Sequence, residues 1–208
     1  MYLPERFVEN DRKVILEVID AYPLATLVMG GVGNLVANHL PFLVDVNESG
    51  EMTLLAHVAN KNELLTEFST GDSALVVFRA EDSYISPNWY PGKPKTHRFV
   101  PTWNYQAVHC YGRIEFLSDR KFIMGVVGRL TKLHEHRIGE AIPWSLKQAP
   151  ADYLDEMLNA ITGIRIRVDR VLAKSKLSQN RDPDDLESVT RRMGELGKGF
   201  LQKQMPGG

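Results

Sequence analysis

YISPNWYPGKPKTHRFVPTWNYQAVHCYGR (residues 84–113) holds two of the three tryptophans, Trp89 and Trp103. Tyr84, Tyr90, Tyr105 and Tyr111 surround them, with Asn88, Thr102, Asn104 and Gln106 between. From Tyr105 to Leu117 the residues alternate, with Val108 and Cys110 on one face and His109 and Tyr111 on the other. That period predicts a long β-strand, with Gly112 as a candidate bulge. FVPTW (99–103) bends at Pro101, and the basic, proline-rich PGKPKTHR (91–98) is not expected to be regular structure. Aromatic faces interleaved with amides and hydroxyls suit a flat ligand with polar edges. The same residues also suit a barrel core whose polar members cap turns, and composition does not separate the two.

Working outward, residues 24–30 form a compact apolar strand, Gly30 to Asn34 a turn, and residues 35–46 a return strand, a pattern that predicts a hairpin. The glycines at 30, 31 and 33 are too few for a nucleotide loop, and no helix follows them. A helix capped by Asn10 or Asp11 precedes the hairpin, with Val14, Ile15, Val18 and Ile19 at helical spacing and Pro23 beyond its end. MTLLAHVA (52–59) is a third strand, and Asn60 is placed to cap a helix through Gly71. A helix start there, with His57, Asn60, Lys61 and Asn62 beside it, suits a phosphate. A plain cap with a solvated lysine explains the same residues.

Residues 73–80 form a buried strand, Asp119 starts a helix to about His134, and a further helix spans 151–160. His134 and His136 diverge on a helix and read better as loop residues at its end than as metal ligands. Residues 162–174 alternate Ile164, Ile166 and Val168 against Arg165, Arg167 and Asp169, a strand with one wet face. Asp182 and Pro183 open a last helix, and Met205 to Gly208 read as a disordered tail. About seven short strands joined by tight turns predict a mostly β fold, an antiparallel barrel with peripheral helices. Residues 1–181 form the domain and 182–208 its C-terminal helix and tail.

The 208 residues carry a net charge of −1, so no global field draws the chain to nucleic acid or to a membrane. The single cysteine, Cys110, excludes an internal disulfide framework and points to the reducing cytoplasm. Its neighbour His109 faces the other side of the strand, so a buried structural thiol is expected rather than a Cys/His nucleophile. No stretch has the apolar length of a transmembrane helix, and the polar N-terminus does not read as a signal peptide.

MYLPERF (1–7), HLPF (39–42), YISPNWYP (84–91), VPTWNYQAVHCYGR (100–113), APADYL (149–154) and KLSQNR (176–181) together resemble the PaiB-type FMN-binding negative transcriptional regulators. The resemblance runs from Met1 to about Arg181. It implies an FMN-binding split β-barrel similar to pyridoxamine phosphate oxidases, and a homodimer with FMN at the interface. By motif position it places the FMN phosphate at His57, Asn60, Lys61 and Asn62. It sets the backbone of His39, Leu40 and Pro41 against the isoalloxazine, lines the site with Thr102, Trp103 and Asn104, and closes it with Ser178, Gln179 and Arg181. Trp103 and Asn104 are expected to border the flavin, and Tyr84 and Tyr111 to pack. An FMN-dependent oxidoreductase using the same pocket, with room lined by Trp89, Tyr90 and His97, is the alternative. No catalytic nucleophile and no metal are required by either. Nucleic acid enters as a direct or indirect partner, although no helix-turn-helix is apparent.

Overall fold

The structure is a computed structural model that describes residues 1–31 and 33–207. Val32 of the expected glycine turn and Gly208 of the expected tail lie outside the described residues. In chain order the elements are α1 (Arg12–Ala21), β1 (Leu24–Gly31), β2 (Asn34–Pro41), β3 (Leu43–Val46), β4 (Met52–Ala59), α2 (Leu64–Glu67), β5 (Ser73–Ile85), α3 (Lys93–Thr96), β6 (Thr102–Leu117), α4 (Arg120–Ile138), α5 (Ala151–Asn159), β7 (Ile161–Lys176), α6 (Pro183–Glu195) and α7 (Gly199–Gln204). The strands hydrogen-bond in the order β2-β1-β5-β6-β7-β4-β3. β1 is antiparallel to β2 and β5, and β4 to β3 and β7. No helix among the described residues is long and apolar enough to cross a membrane.

The chain divides into two compact units. Unit 2 comprises Pro23–Val77 and Cys110–Val171. It holds the β1–β2 hairpin, in which Thr26 faces His39 and Leu27 faces Asn38. The return strand breaks at Phe42, which is 2% exposed and donates its N–H to the Pro23 carbonyl at 2.9 Å. A bulky side chain drawn into the core at this point ends β2 and starts β3. The expected strand 52–59 is present as β4. Asp119 caps α4 by accepting from the Phe122 N–H at 2.7 Å, and Val126 and Leu130 of that helix pack on Leu43 and Leu55. α4 runs on to Ile138, so His134 and His136 lie on the helix and not in a loop. Gly112 of β6 is a forced glycine, since a Cβ there would stand 2.0 Å from the Arg167 carbonyl oxygen of β7. Cys110 is fully buried as expected, and burial pushes its thiol pKa up to about 12.

Unit 1 comprises Met1–Tyr22, Phe78–His109 and Leu172–Gly208. Asp11 caps α1 through the Lys13 N–H, and Val18 and Ile19 of α1 are 1% exposed. Residues 91–98 were not expected to be regular, yet Lys93–Thr96 make one helical turn, closed by His97 in the left-handed region at φ 54°. A second core gathers Ile85, Tyr90, Leu177, Val189, Met193, Leu201 and Met205, with Trp89, Phe99 and Leu186 against it. Met205, read from the sequence as tail, is 3% exposed. The apolar side chain after α7 fills this core, which a run of Pro and Gly beyond it conceals in the sequence.

Candidate cofactor site

The expected site residues fall into two groups, one in each unit. In unit 2, β2 alternates so that His39 is exposed while Asn38 and Leu40 face inward. His57 lies on β4 with its Nδ1 buried and without a partner among the described residues. Burial holds its imidazole below the ordinary histidine pKa. The helix expected from Asn60 to Gly71 is only α2, four residues starting at Leu64. The asparagines explain the difference. The Asn60 amide donates to the Asn159 carbonyl at 2.7 Å and its oxygen accepts from the Thr162 hydroxyl at 2.7 Å. The Asn62 oxygen accepts from the Leu64 N–H at 2.9 Å, and its amide donates to the Asn38 oxygen at 2.6 Å. These side chains hold a turn, and one helical turn supplies no strong dipole for a phosphate. Lys61 is exposed beside them.

Asn38 was not singled out in the sequence. Its Nδ2 is buried and unpartnered among the described residues, like the His57 nitrogen. The period-two pattern of β2 carries the signal, because it puts Asn38 on the opposite face from His39. The unpartnered Asn38 amide and the exposed Lys61 ammonium are donors of the kind that a ligand rich in acceptor oxygens takes, as a ribityl phosphate is.

In unit 1, the Ser178 hydroxyl donates to the Asn104 carboxamide oxygen at 3.0 Å, and both residues are buried. Lys176 donates to the Thr102 hydroxyl. The Gln179 side chain is committed to backbone. It accepts from the Leu177 N–H at 2.8 Å and donates to the carbonyls of Arg6 at 3.1 Å and Ser175 at 2.6 Å. Arg181 stacks its guanidinium over Tyr90 at 4.6 Å and Phe99 at 5.5 Å from the ring centroids. Thr102, Asn104, Ser178 and Arg181 line one cleft of about 370 Å³. Tyr2, Arg6, Lys174 and Lys176 complete it and were not picked out in the sequence. The i, i+2 spacing of Lys174 and Lys176 on a strand was the available signal.

Trp103 is half-exposed, but Asn104 is fully buried. Tyr84, expected to pack, is 46% exposed and meets Trp103 edge-on at 5.9 Å. Tyr111 carries Arg170 over its ring at 4.0 Å. Tyr90, expected to line open room with Trp89 and His97, is 2% exposed, because it belongs to the second core. Arg165 and Arg167 both pair with Glu115, at 3.0 and 3.2 Å, and Arg192 pairs with Glu195 at 2.6 Å. Those basic groups are already met by carboxylates.

Residues 1–170 match the family model described as "Putative FMN-binding domain". The chain is 30% identical to the protease synthase and sporulation protein PAI 2 of Bacillus subtilis, over 99% of this chain and 100% of that one. It is 42% identical over 102 residues to the uncharacterized protein YKL070W of Saccharomyces cerevisiae, covering 49% of this chain and 60% of the yeast protein, less than two thirds of its length. Among solved structures it resembles the flavocytochrome Anf3 from Azotobacter vinelandii, with a TM-score of 0.56 at 15% identity over 89% of this chain and 78% of that one. The seven-stranded antiparallel sheet with flanking helices is the split β-barrel of such flavoproteins. The chain belongs to the FMN-binding domain family matched over residues 1–170, in the PaiB-type group that includes PAI 2, and its cofactor is FMN.

Proposed function

We propose that this chain is a cytoplasmic homodimer that binds FMN and serves as a negative regulator of the PaiB type. The observation that carries the reading is the full-length similarity to PAI 2 of Bacillus subtilis. In this reading His57, Asn60, Lys61 and Asn62 hold the phosphate, with Asn38 added to them. His39, Leu40 and Pro41 face the ring system. Thr102, Trp103, Asn104, Ser178, Gln179 and Arg181 border the ligand, from the same or the second copy. When bound, FMN supplies one- or two-electron redox chemistry. The chain's own residues orient the ring, exclude water and hold the phosphate. Residues 1–181 form the binding domain, and 182–208 are its C-terminal addition.

The test is direct. Purified protein should be yellow, should release FMN on heating, and should elute at twice the chain mass. A colourless protein that cannot be reconstituted with FMN refutes the flavin assignment. A monomeric holoprotein refutes the dimer.

A second reading, an FMN-dependent oxidoreductase, is supported by the cleft beside Thr102, Asn104 and Arg181, which has room for a second small molecule. Reduction of bound flavin by NADH or NADPH, with turnover on an acceptor, decides for it. Salt-sensitive, sequence-dependent DNA binding without turnover decides for direct regulation.

A further inference from the structure

Four cations converge on the unit 1 cleft. Arg6 comes from the turn Glu5–Phe7, Lys174 and Lys176 from the end of β7, and Arg181 from the segment after it. Among the described residues none of the four forms an ion pair with a carboxylate. Their contacts are neutral. Lys174, 7% exposed, donates to the Tyr2 carbonyl at 3.2 Å and lies 5.4 Å from the Tyr105 ring centroid. Lys176 donates to the Thr102 hydroxyl, Arg181 stacks on Tyr90, and Arg6 sits over Phe7 at 5.1 Å.

Elsewhere several arginines meet carboxylates. Arg129 meets Asp45, Arg120 meets Asp155, and Arg165 and Arg167 share Glu115. In the cleft, burial lowers the pKa of Lys176, Tyr105 works against that shift, and the charges of Lys174, Arg181 and Arg6 add to it. Clustered, partly buried positive charge opposes folding unless an anion offsets it. The wall of the cleft carries a second mark of a built site. Ser178 is buried there in the left-handed region, at φ 63°, an arrangement that costs backbone energy and recurs at ligand sites.

We propose that this cleft binds a small anion of two or more charges, a phosphate- or carboxylate-bearing molecule distinct from FMN. Lys174, Lys176 and Arg6 are its charge partners, and Tyr2 and Tyr105 flank its body. The inference rests on the assignment of the FMN phosphate to His57–Asn62. It adds a co-substrate or effector whose charge, rather than its ring, is recognised.

The experiment titrates FMN-loaded protein with inorganic pyrophosphate and, separately, with succinate, by calorimetry at constant ionic strength. Saturable binding of one equivalent of either, with flavin absorbance unchanged, is expected, and the tighter of the two names the phosphate or the carboxylate class. Lys176→Gln should weaken it about tenfold, the scale of one lost charge-assisted hydrogen bond, while Lys176→Arg retains it. Lack of saturable binding for both anions overturns the proposal, as does equal affinity in Lys176→Gln. Release of FMN by the anion, or loss of flavin in Lys176→Gln, overturns it by showing that these cations hold the cofactor itself. Should the variant not fold, the wild-type melting temperature decides. A rise with pyrophosphate beyond that with sodium chloride supports the site, and no rise overturns it. Protein that takes up no FMN at all refutes the flavin assignment alone, and the same titration on it still decides for or against the anion site.

Discussion

Ser178 and Asn104 close on each other inside unit 1, hydroxyl to carboxamide oxygen at 3.0 Å, with neither side chain more than 4% exposed. Ser178 reaches this position from a left-handed backbone. Ser178→Ala loses the bond and keeps the strain, so a loss of about 1–3 kcal/mol is expected from the unmet buried acceptor. Ser178→Gly loses the same bond but relaxes the backbone by roughly 1 kcal/mol. Urea unfolding should therefore rank wild type above the glycine variant and the glycine variant above alanine. The reverse order of the two variants would show that the left-handed backbone carries no strain.

Asp185 anchors the loop before α3. It is 2% exposed, and its Oδ1 accepts from the Gly92 N–H at 2.8 Å. It also sits in the first turn of α6, where the helix dipole favours a carboxylate. Asp185→Ala should cost about 1–3 kcal/mol and Asp185→Asn less, since the amide oxygen still accepts. Released from its anchor, the segment holding Lys93, Lys95 and Arg98 should be cut by trypsin faster than in wild type. Unchanged cleavage in the alanine variant would place the anchor elsewhere.

Gly112 admits no side chain. A methyl group would stand 2.0 Å from the Arg167 carbonyl oxygen and 2.9 Å from its carbon, both backbone. Gly112→Ala must part β6 from β7, and a loss of about 3 kcal/mol or more is expected. Thermal melting by circular dichroism reads it, and a melting temperature within a degree of wild type would contradict the geometry.

Cys110 should be silent to thiol reagents in the native protein and titrate as one equivalent when unfolded. Burial pushes its folded pKa up to about 12 from the ordinary 9.0, so the native state keeps its proton longer than the unfolded chain. Stability is then unaffected below the unfolded pKa. It falls by about 1.4 kcal/mol per pH unit as pH rises between the two values. Cys110→Ala should flatten that alkaline limb at the cost of a small cavity, and an unchanged limb would refute the assignment.

His57 gives the opposite limb. Burial lowers its pKa below 6.5, so the unfolded imidazole takes up a proton before the folded one does. Stability is full above the unfolded pKa and is lost as pH falls below it. His109, also lowered by burial, acts in the same sense, so His57→Gln should flatten the acid limb only in part. Because the His57 Nδ1 is one of the two orphaned nitrogens, the same substitution should also weaken FMN retention, read from the flavin-to-protein absorbance ratio.

Elements whose pattern is local were legible in the sequence. α1 follows from a capping Asp11 and apolar spacing, and β4 from its apolar run between turns. The stretch 84–113 was read correctly as strand from Tyr105, but β6 begins earlier, at Thr102, immediately after Pro101. The false helix at 60–71 has a physical cause. Asn60 answers to Asn159, far along the chain, and no local window contains that bond. The cation cluster was hidden for the same reason, since Arg6 and Lys176 meet only in the fold. Tyr90 and Asn104 illustrate the remaining ambiguity: polar and aromatic residues look alike in sequence whether they border a ligand or fill a core.

The order in which unit 1 is assembled has a consequence for synthesis. Its core joins Ile85 and Tyr90 to Leu177, Val189, Leu201 and Met205, so the early segment lacks most of its apolar partners until the last helices are made. Unit 2 draws on Pro23–Val77 and Cys110–Val171 and has all its segments before them. On the ribosome, unit 2 can therefore close while the first and middle segments of unit 1 still wait, exposed to chaperones, for α6 and α7 to emerge.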